Sequence, residues 1–441
     1  MSDPKPAPET ASPTGGDASS PRAVLFSGAR VFDGRSDELT APTSVLIVDG
    51  KIASVGGTED VPSHALTIDA DGRTLTPGFI DAHAHVMLQP TVPEMAGSDL
   101  AHHALYGASM AKLYLSRGYT TIRDTGGNTF SLKRAIDSGM NQGPRIYPSG
   151  PIISQTAGHG DFTPMSEPAR LLGGHRDNMQ RDGHLLVVDG VSDMLQAVRY
   201  VLGRGASQVK LAVGGGCASD RDPLDVTEFT AEEIEAAVKA AGDWNTYVAT
   251  HVYNPTGIRR AVEAGARTIE HGNLVDAETL ELMKDHGTWL CPQVIVYVSD
   301  PPGLAEVTKE KFAQAREGLD TLFELTKKTG FDRIGFGSDI ISAPDTLAGI
   351  NEEFVHRTKW FSPAEILRQA TGNNGRLVAL AGMRNPYPGT LGVIEPGALA
   401  DVLLVDGNPL DDPSVLTDPE QNLLVIVKDG QVVKNALADD R

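Results

Sequence analysis

Cysteine is almost missing from this chain. Only Cys217 and Cys291 occur in 441 residues, neither in a Cys-x-x-Cys pair, which excludes a disulfide framework and leaves either one bridge or two free thiols. Long apolar stretches are absent as well. No run reaches the ~18 consecutive apolar residues that a membrane-spanning helix needs. Basic charge is scarce: 38 Lys and Arg stand against 58 Asp and Glu, a formal charge of −20, and nowhere do the cations gather into a stripe. A nucleic-acid-binding surface is therefore excluded, since phosphates would be repelled. The opening MSDPKPAPETASPTGGDASS has no apolar core of the kind a signal peptide carries and is expected to be a disordered tail over residues 1–21. As written the chain fits a cytoplasmic protein; a periplasmic or secreted protein whose leader had been removed would read the same.

With 40% hydrophobic and 22% charged residues the rest of the chain has the balance of a folded protein. Its length suits one large α/β domain with an accessory layer, or two to three ordinary domains. From Arg22 to about Thr76 the texture is β-rich, with AVLFSGARVFDG, TSVLIVDGKIASVG and ALTIDADGRTLTPG punctuated by Asp49-Gly50 and Asp71-Gly72 turns. The same texture returns between residues 383 and 437, where Asp429-Gly430 repeats the turn chemistry. Small hairpin sheets are marginal alone. Residues 22–76 and 383–437 are therefore expected to form one composite β-sandwich domain.

Between these flanks short apolar runs alternate with helical segments. Strands are expected at Leu75–Ala82, Tyr119–Arg123, Arg145–Ser149, Gln208–Ala212, Thr246–Thr250, Thr268–Glu270, Trp289–Pro292 and Arg333–Gly337. Eight strands with mostly helical crossovers predict a (β/α)8 TIM barrel over residues 77–382. Helix signals agree: Thr230 followed by Glu233 makes a capping box, and SPAEILRQATGNNGRL and DAETLELMKDHG have helical patterns. Residues 144–188 and 294–328 are read as long loops.

The polar residues fall at the carboxyl ends of these strands, the face on which barrel enzymes carry their sites. His83 and His85 close the first strand, Lys210 lies in the fourth, His251 ends the fifth, His271 the sixth and Asp339 the eighth. Residues i and i+2 of a strand point the same way, so the His-Ala-His spacing directs two imidazoles into one place. Imidazole and carboxylate suit zinc and related divalent ions. Lys210 is the odd member, because an ammonium beside dications is repelled. Reaction of its amine with carbon dioxide would replace the cation by a carboxylate able to hold one metal on each oxygen. Gly214-Gly215-Gly216 lacks the Gly-Lys-Ser/Thr that a phosphate loop requires.

In this order PGFIDAHAH, Lys210, His251, His271 and Gly337-Ser338-Asp339 resemble the metal-dependent amidohydrolase superfamily from Arg22 to the closing KDGQVVKN. SQTAGHGD, VKLAVGGG and THVYNPTGIRRAVEAG are similar to the branch holding imidazolonepropionase-like Xaa-Pro and Xaa-Arg dipeptidases and amidases that cut the phenylalanine amide of ochratoxin. The resemblance implies that His83, His85 and Asp339 hold one divalent ion, most simply zinc, that His251 and His271 hold a second, and that carboxylated Lys210 bridges them. It also implies a homo-oligomer and His159 and Tyr253 beside the substrate, with Tyr253 donating to the developing oxyanion or to the terminal carboxylate. Water on such an ion pair ionises near neutrality, and Asp339 would pass its proton to the leaving nitrogen. The expected substrate is a dipeptide or N-acyl amino acid, with a cyclic amide or other C–N bond as the alternative. Arg259 or Arg260 is a candidate receptor for the substrate carboxylate, and His102 and His103 for the pocket wall.

Overall fold

A computed structural model of the chain describes residues 23–57, 60–164, 166–168, 170–219, 221–299 and 305–438; the expected N-terminal tail lies outside the described residues. Its strands are β1 (Ala23–Val31), β2 (Thr43–Val48), β3 (Lys51–Val55), β4 (Leu66–Asp69), β5 (Thr74–Pro77), β6 (Phe79–Ala84), β7 (Tyr119–Asp124), β8 (Arg145–Pro148), β9 (Ile152–Ser154), β10 (Leu185–Val187), β11 (Val209–Ala212), β12 (Val248–Val252), β13 (Thr268–His271), β14 (Trp289–Cys291), β15 (Val402–Val405), β16 (Leu423–Lys428) and β17 (Gln431–Asn435).

Both ends of the chain contribute to one mixed sheet, ordered β17-β16-β15-β5-β1-β2-β3 with β4 beside β1. The join between the ends is the antiparallel β5–β15 pair, in which Leu75 faces Leu404. Asp49-Gly50 and Asp429-Gly430 turn the β2–β3 and β16–β17 hairpins with positive φ at both central residues, as the sequence predicts. Phe26, Val45, Ile47, Leu75, Val402, Leu404 and Val427 form a core separate from the main one.

The central strands are parallel and divide into β6-β7-β8 and β10-β9-β11-β12-β13-β14. On one flank the Ser207 N–H donates to Pro148 O at 2.7 Å. On the other, residues 333–337 run between β14 and β6: Leu290 N–H donates to Arg333 O at 2.9 Å and Ala82 N–H to Phe336 O at 2.9 Å. With helices between successive strands this is a TIM-barrel-type fold. The helix after β11, Ala231–Asp243, begins on the expected capping box, Thr230 and Glu233 each accepting the other's backbone N–H.

Three expectations need correction. The strand expected over Leu75–Ala82 is broken at Gly78, with β5 in the terminal sheet and β6 in the barrel. Pro77 has no N–H for a continuous ladder, and a Cβ at Gly78 would lie 2.1 Å from Thr120 Oγ1. The eighth expected strand makes a single ladder bridge, Leu290 to Ile334, because the Asn374 side chain occupies its other edge. That amide accepts from Phe336 N–H at 3.0 Å and donates to Phe336 O at 2.7 Å and Ile80 O at 2.6 Å. The supposed loops are also partly ordered: beyond the expected strand at β8, residues 144–188 contain β9 and β10, and residues 294–328 are mostly the helix Glu306–Thr329.

Candidate metal centre

The six residues singled out at the strand ends come together. His83 lies in β6 and His85 just past it, Lys210 in β11, His251 in β12, His271 at the end of β13, and Asp339 just beyond residues 333–337. Asp339 and His271 both adopt left-handed backbone conformations, φ 54° and 73°. For non-glycine residues this costs about 1–3 kcal/mol each and persists only where the surroundings enforce it. For Asp339 the enforcement is visible: its N–H donates to His83 O at 2.8 Å, and the buried Asp81 carboxylate accepts from the His83 N–H, the Ser338 N–H and the Ser338 hydroxyl.

The hydrogen-bond partners of each imidazole fix which nitrogen is free. His83 Nδ1 donates to Glu270 Oε2 at 2.9 Å, and His85 Nδ1 donates to Gly126 O at 3.1 Å. Each therefore turns an unprotonated Nε2 toward Asp339 Oδ1, at 3.2 Å for His83 and 3.1 Å for His85. Two nitrogen lone pairs facing a carboxylate oxygen repel one another unless a cation lies among them. His251 Nε2 donates to Gly215 O at 3.3 Å, leaving Nδ1 free. His271 Nδ1 donates to Gln293 Oε1 at 2.7 Å, and its buried Nε2 has no partner among the described residues. These donors fit divalent ions of borderline softness.

Burial is the largest influence on most charges here. It lowers the His85, His251 and His271 imidazoles, the last two well below the usual range, and so keeps them neutral, as ligands must be. Burial also lowers the Lys210 amine to about 8. Its Nζ lies 3.4 Å from His83 Nε2. Against burial, Arg123 holds the Glu270 carboxyl well below its ordinary range. Arg123 grips both Glu270 oxygens at 2.7 and 2.6 Å from inside the barrel.

His159 stacks on His251, ring centroids 4.0 Å apart and planes within 10°. Its Nδ1 is held by Asp222 at 3.0 Å and Ser219 at 2.9 Å, and its N–H by Glu228 at 2.8 Å. Gly216 has to lack a side chain here, since a Cβ would lie 2.2 Å from the His159 ring. Tyr253 stacks on His271, centroids 4.9 Å apart. Arg259 and Arg260 are not brought in: Arg259 pairs with Glu278 at 3.2 Å and Arg260 donates to Phe229 O. His103 is buried elsewhere against His184, N to N 2.8 Å, and His102 lies beside it on the same helix. Both cysteines are free and buried.

Sequence reasoning missed Glu270, Arg123, Gln293, Tyr297, Asp81 and Asp222. Arg123 carried a usable signal, a cation inside the expected strand YTTIRD, every residue of which is buried. Tyr297 carried none, because VIVYV reads as core.

Residues 74–433 match the amidohydrolase family. Ochratoxinase from Aspergillus niger is 30% identical over 394 residues, covering 86% of this chain and 80% of the relative. A crystal structure of A. niger ochratoxinase superposes with a TM-score of 0.82 at 27% identity, covering 94% of this chain and 96% of that one. A prolidase complexed with N-methylphosphonate-L-proline gives 0.85 at 35% identity, covering 94% and 100%. A Xaa-Pro dipeptidase with methionine bound in its active site gives 0.80 at 28% identity, also covering 94% and 100%.

Proposed function

The chain belongs to the amidohydrolase family, and from that premise we propose that it is a binuclear metal-dependent enzyme that releases the C-terminal amino acid from a dipeptide or an N-acyl amino acid. The observation that carries this reading is the focus of unprotonated imidazole nitrogens on Asp339 beside a buried lysine. His83, His85 and Asp339 would hold one ion and His251 and His271 the other. Zinc is the ion this donor set suits best. When bound, the ions would supply a water acidified toward neutrality and a Lewis acid for the scissile carbonyl.

The remaining work falls to side chains. Lys210, whose amine burial brings to about 8, has enough free base to add carbon dioxide, forming an N–C bond and releasing one proton. The resulting carbamate places negative charge where an ammonium would repel the ions. Asp339 accepts the proton of the attacking water and delivers it to the leaving nitrogen. Tyr253, held protonated by burial, donates to the carbonyl oxygen as charge develops on it. His159, fixed by Asp222, Ser219 and Glu228, forms the wall on the His251 side. The same reading takes residues 22–76 and 383–437 as a composite β-sandwich domain on a (β/α)8 barrel of residues 77–382, and the enzyme as a homo-oligomer.

This substrate class is supported by the relatives named for ochratoxin and for Xaa-Pro dipeptides. The test is a side-by-side assay of the zinc-loaded full chain on Xaa-Pro dipeptides, N-acyl-phenylalanines including ochratoxin A, and cyclic amides. Release of a free amino acid from a linear substrate is expected. Turnover of a ring substrate alone would replace this reading by a cyclic-amide hydrolase.

A further inference from the structure

Tyr297 reaches the site from the short helix Ile295–Val298 and has no part in the chemistry above. Its buried hydroxyl lies 2.8 Å from the Tyr253 hydroxyl and 3.0 Å from His271 Nδ1. The Gln293 amide is oriented by Cys291 O, to which its nitrogen donates at 2.6 Å. Its oxygen therefore faces His271 Nδ1 at 2.7 Å, and a carbonyl oxygen only accepts. So His271 Nδ1 carries the proton. It cannot accept one from Tyr297, whose oxygen is left as a second acceptor for that N–H. The Tyr297 proton must then go to its other partner, the Tyr253 oxygen.

Once Tyr253 accepts on that side, its own O–H is turned away from Tyr297. A further polar neighbour is the Cys217 thiol, which burial pushes up to about 12 and keeps protonated. A thiol is a weak acceptor and competes poorly with a substrate oxygen. We propose that Tyr297 is a positioning residue for the hydrolytic reaction, a relay that aims the Tyr253 O–H at the substrate oxygen and ties that donor to His271. The relay rests on the reading of Tyr253 as the oxyanion donor.

The test is a double-mutant cycle on the zinc-loaded full chain, with Tyr297→Phe, Tyr253→Phe and the double variant, assayed on Xaa-Pro and N-acyl-phenylalanine substrates. Phe keeps the ring and its packing; melting temperature and metal content, expected unchanged, verify this in each variant. Tyr297→Phe is expected to lower kcat about tenfold with little change in KM, and to have no further effect once Tyr253 is Phe, the non-additivity of residues acting through one group. Equal losses in both backgrounds would overturn the relay while leaving Tyr253 as donor. A Tyr297→Phe variant with the parent's kcat would also overturn it. A wild-type rate in Tyr253→Phe would remove the donor itself, and the relay with it.

Discussion

At each histidine of the candidate metal centre one ring nitrogen is committed to a protein acceptor, and that commitment decides what the other nitrogen can do. The acceptors are Glu270, Gly126 O, Gly215 O and Gln293. The histidines themselves were legible in the sequence because their side-chain chemistry falls at strand ends. Their acceptors were not, since they lie on other segments and two are backbone carbonyls that any residue could supply. Glu228 gives a prediction at this scale. It holds the His159 N–H with one oxygen while the other is buried without a partner among the described residues, and burial pushes its carboxyl from 4.5 to about 8. Between those values the folded protein keeps a proton that the unfolded chain releases, so Glu228 costs the fold increasing stability as pH rises through this window. Glu228→Gln keeps an oxygen for His159 and never ionises. Its melting temperature is expected to gain on the parent progressively from pH 5 to about 8 and to run level above; parallel profiles for the two proteins would contradict the assignment.

Among elements, the helix Glu306–Thr329 supports the wall of the candidate site through one side chain. Its Lys311 is buried and donates to the carbonyls of Gly216, Ser219 and Asp222, closing the loop whose Asp222 carboxylate holds His159. Lys311→Met would leave three buried carbonyls without that donor. A loss of about 2–4 kcal/mol is expected from hydrogen bonds to a charged group, read as a lower midpoint in urea. An unchanged midpoint would show that water replaces the ammonium at no cost. Neither this helix nor its role was visible beforehand, because residues 294–328 read as loop while the lysine that matters looks like any surface cation. The eighth strand was visible only as an apolar run. Its gaps in pairing belong to Asn374, which sits in a short helix after a π-helical turn, Gln369–Asn373, well downstream. Local pattern could place the strand and could not foresee that a side chain would replace its ladder.

For the whole molecule, the closing of the chain upon itself was the most readable feature. The matching turns Asp49-Gly50 and Asp429-Gly430 meet in space, so closely that a Cβ on Gly430 would fall 2.7 Å from Gly50 Cα. The buried Arg145 at the start of β8 then ties barrel to terminal sheet, pairing with Asp401 at 3.0 Å and Asp429 at 2.8 Å. Among the described residues no helix is long and apolar enough to cross a membrane. This frame puts His83, His85, Lys210, His251, His271 and Asp339 from five separate stretches into one cluster, and the central claim is that they do so to hold two divalent ions bridged by a carboxylated lysine. Metal analysis of the active full chain, set beside the same analysis of Lys210→Ala, tests this most directly. The account predicts close to two divalent ions per chain in the parent, with fewer ions and little activity in the variant; fully active protein holding fewer than one ion per chain, or a Lys210→Ala variant with full metal and activity, would contradict it.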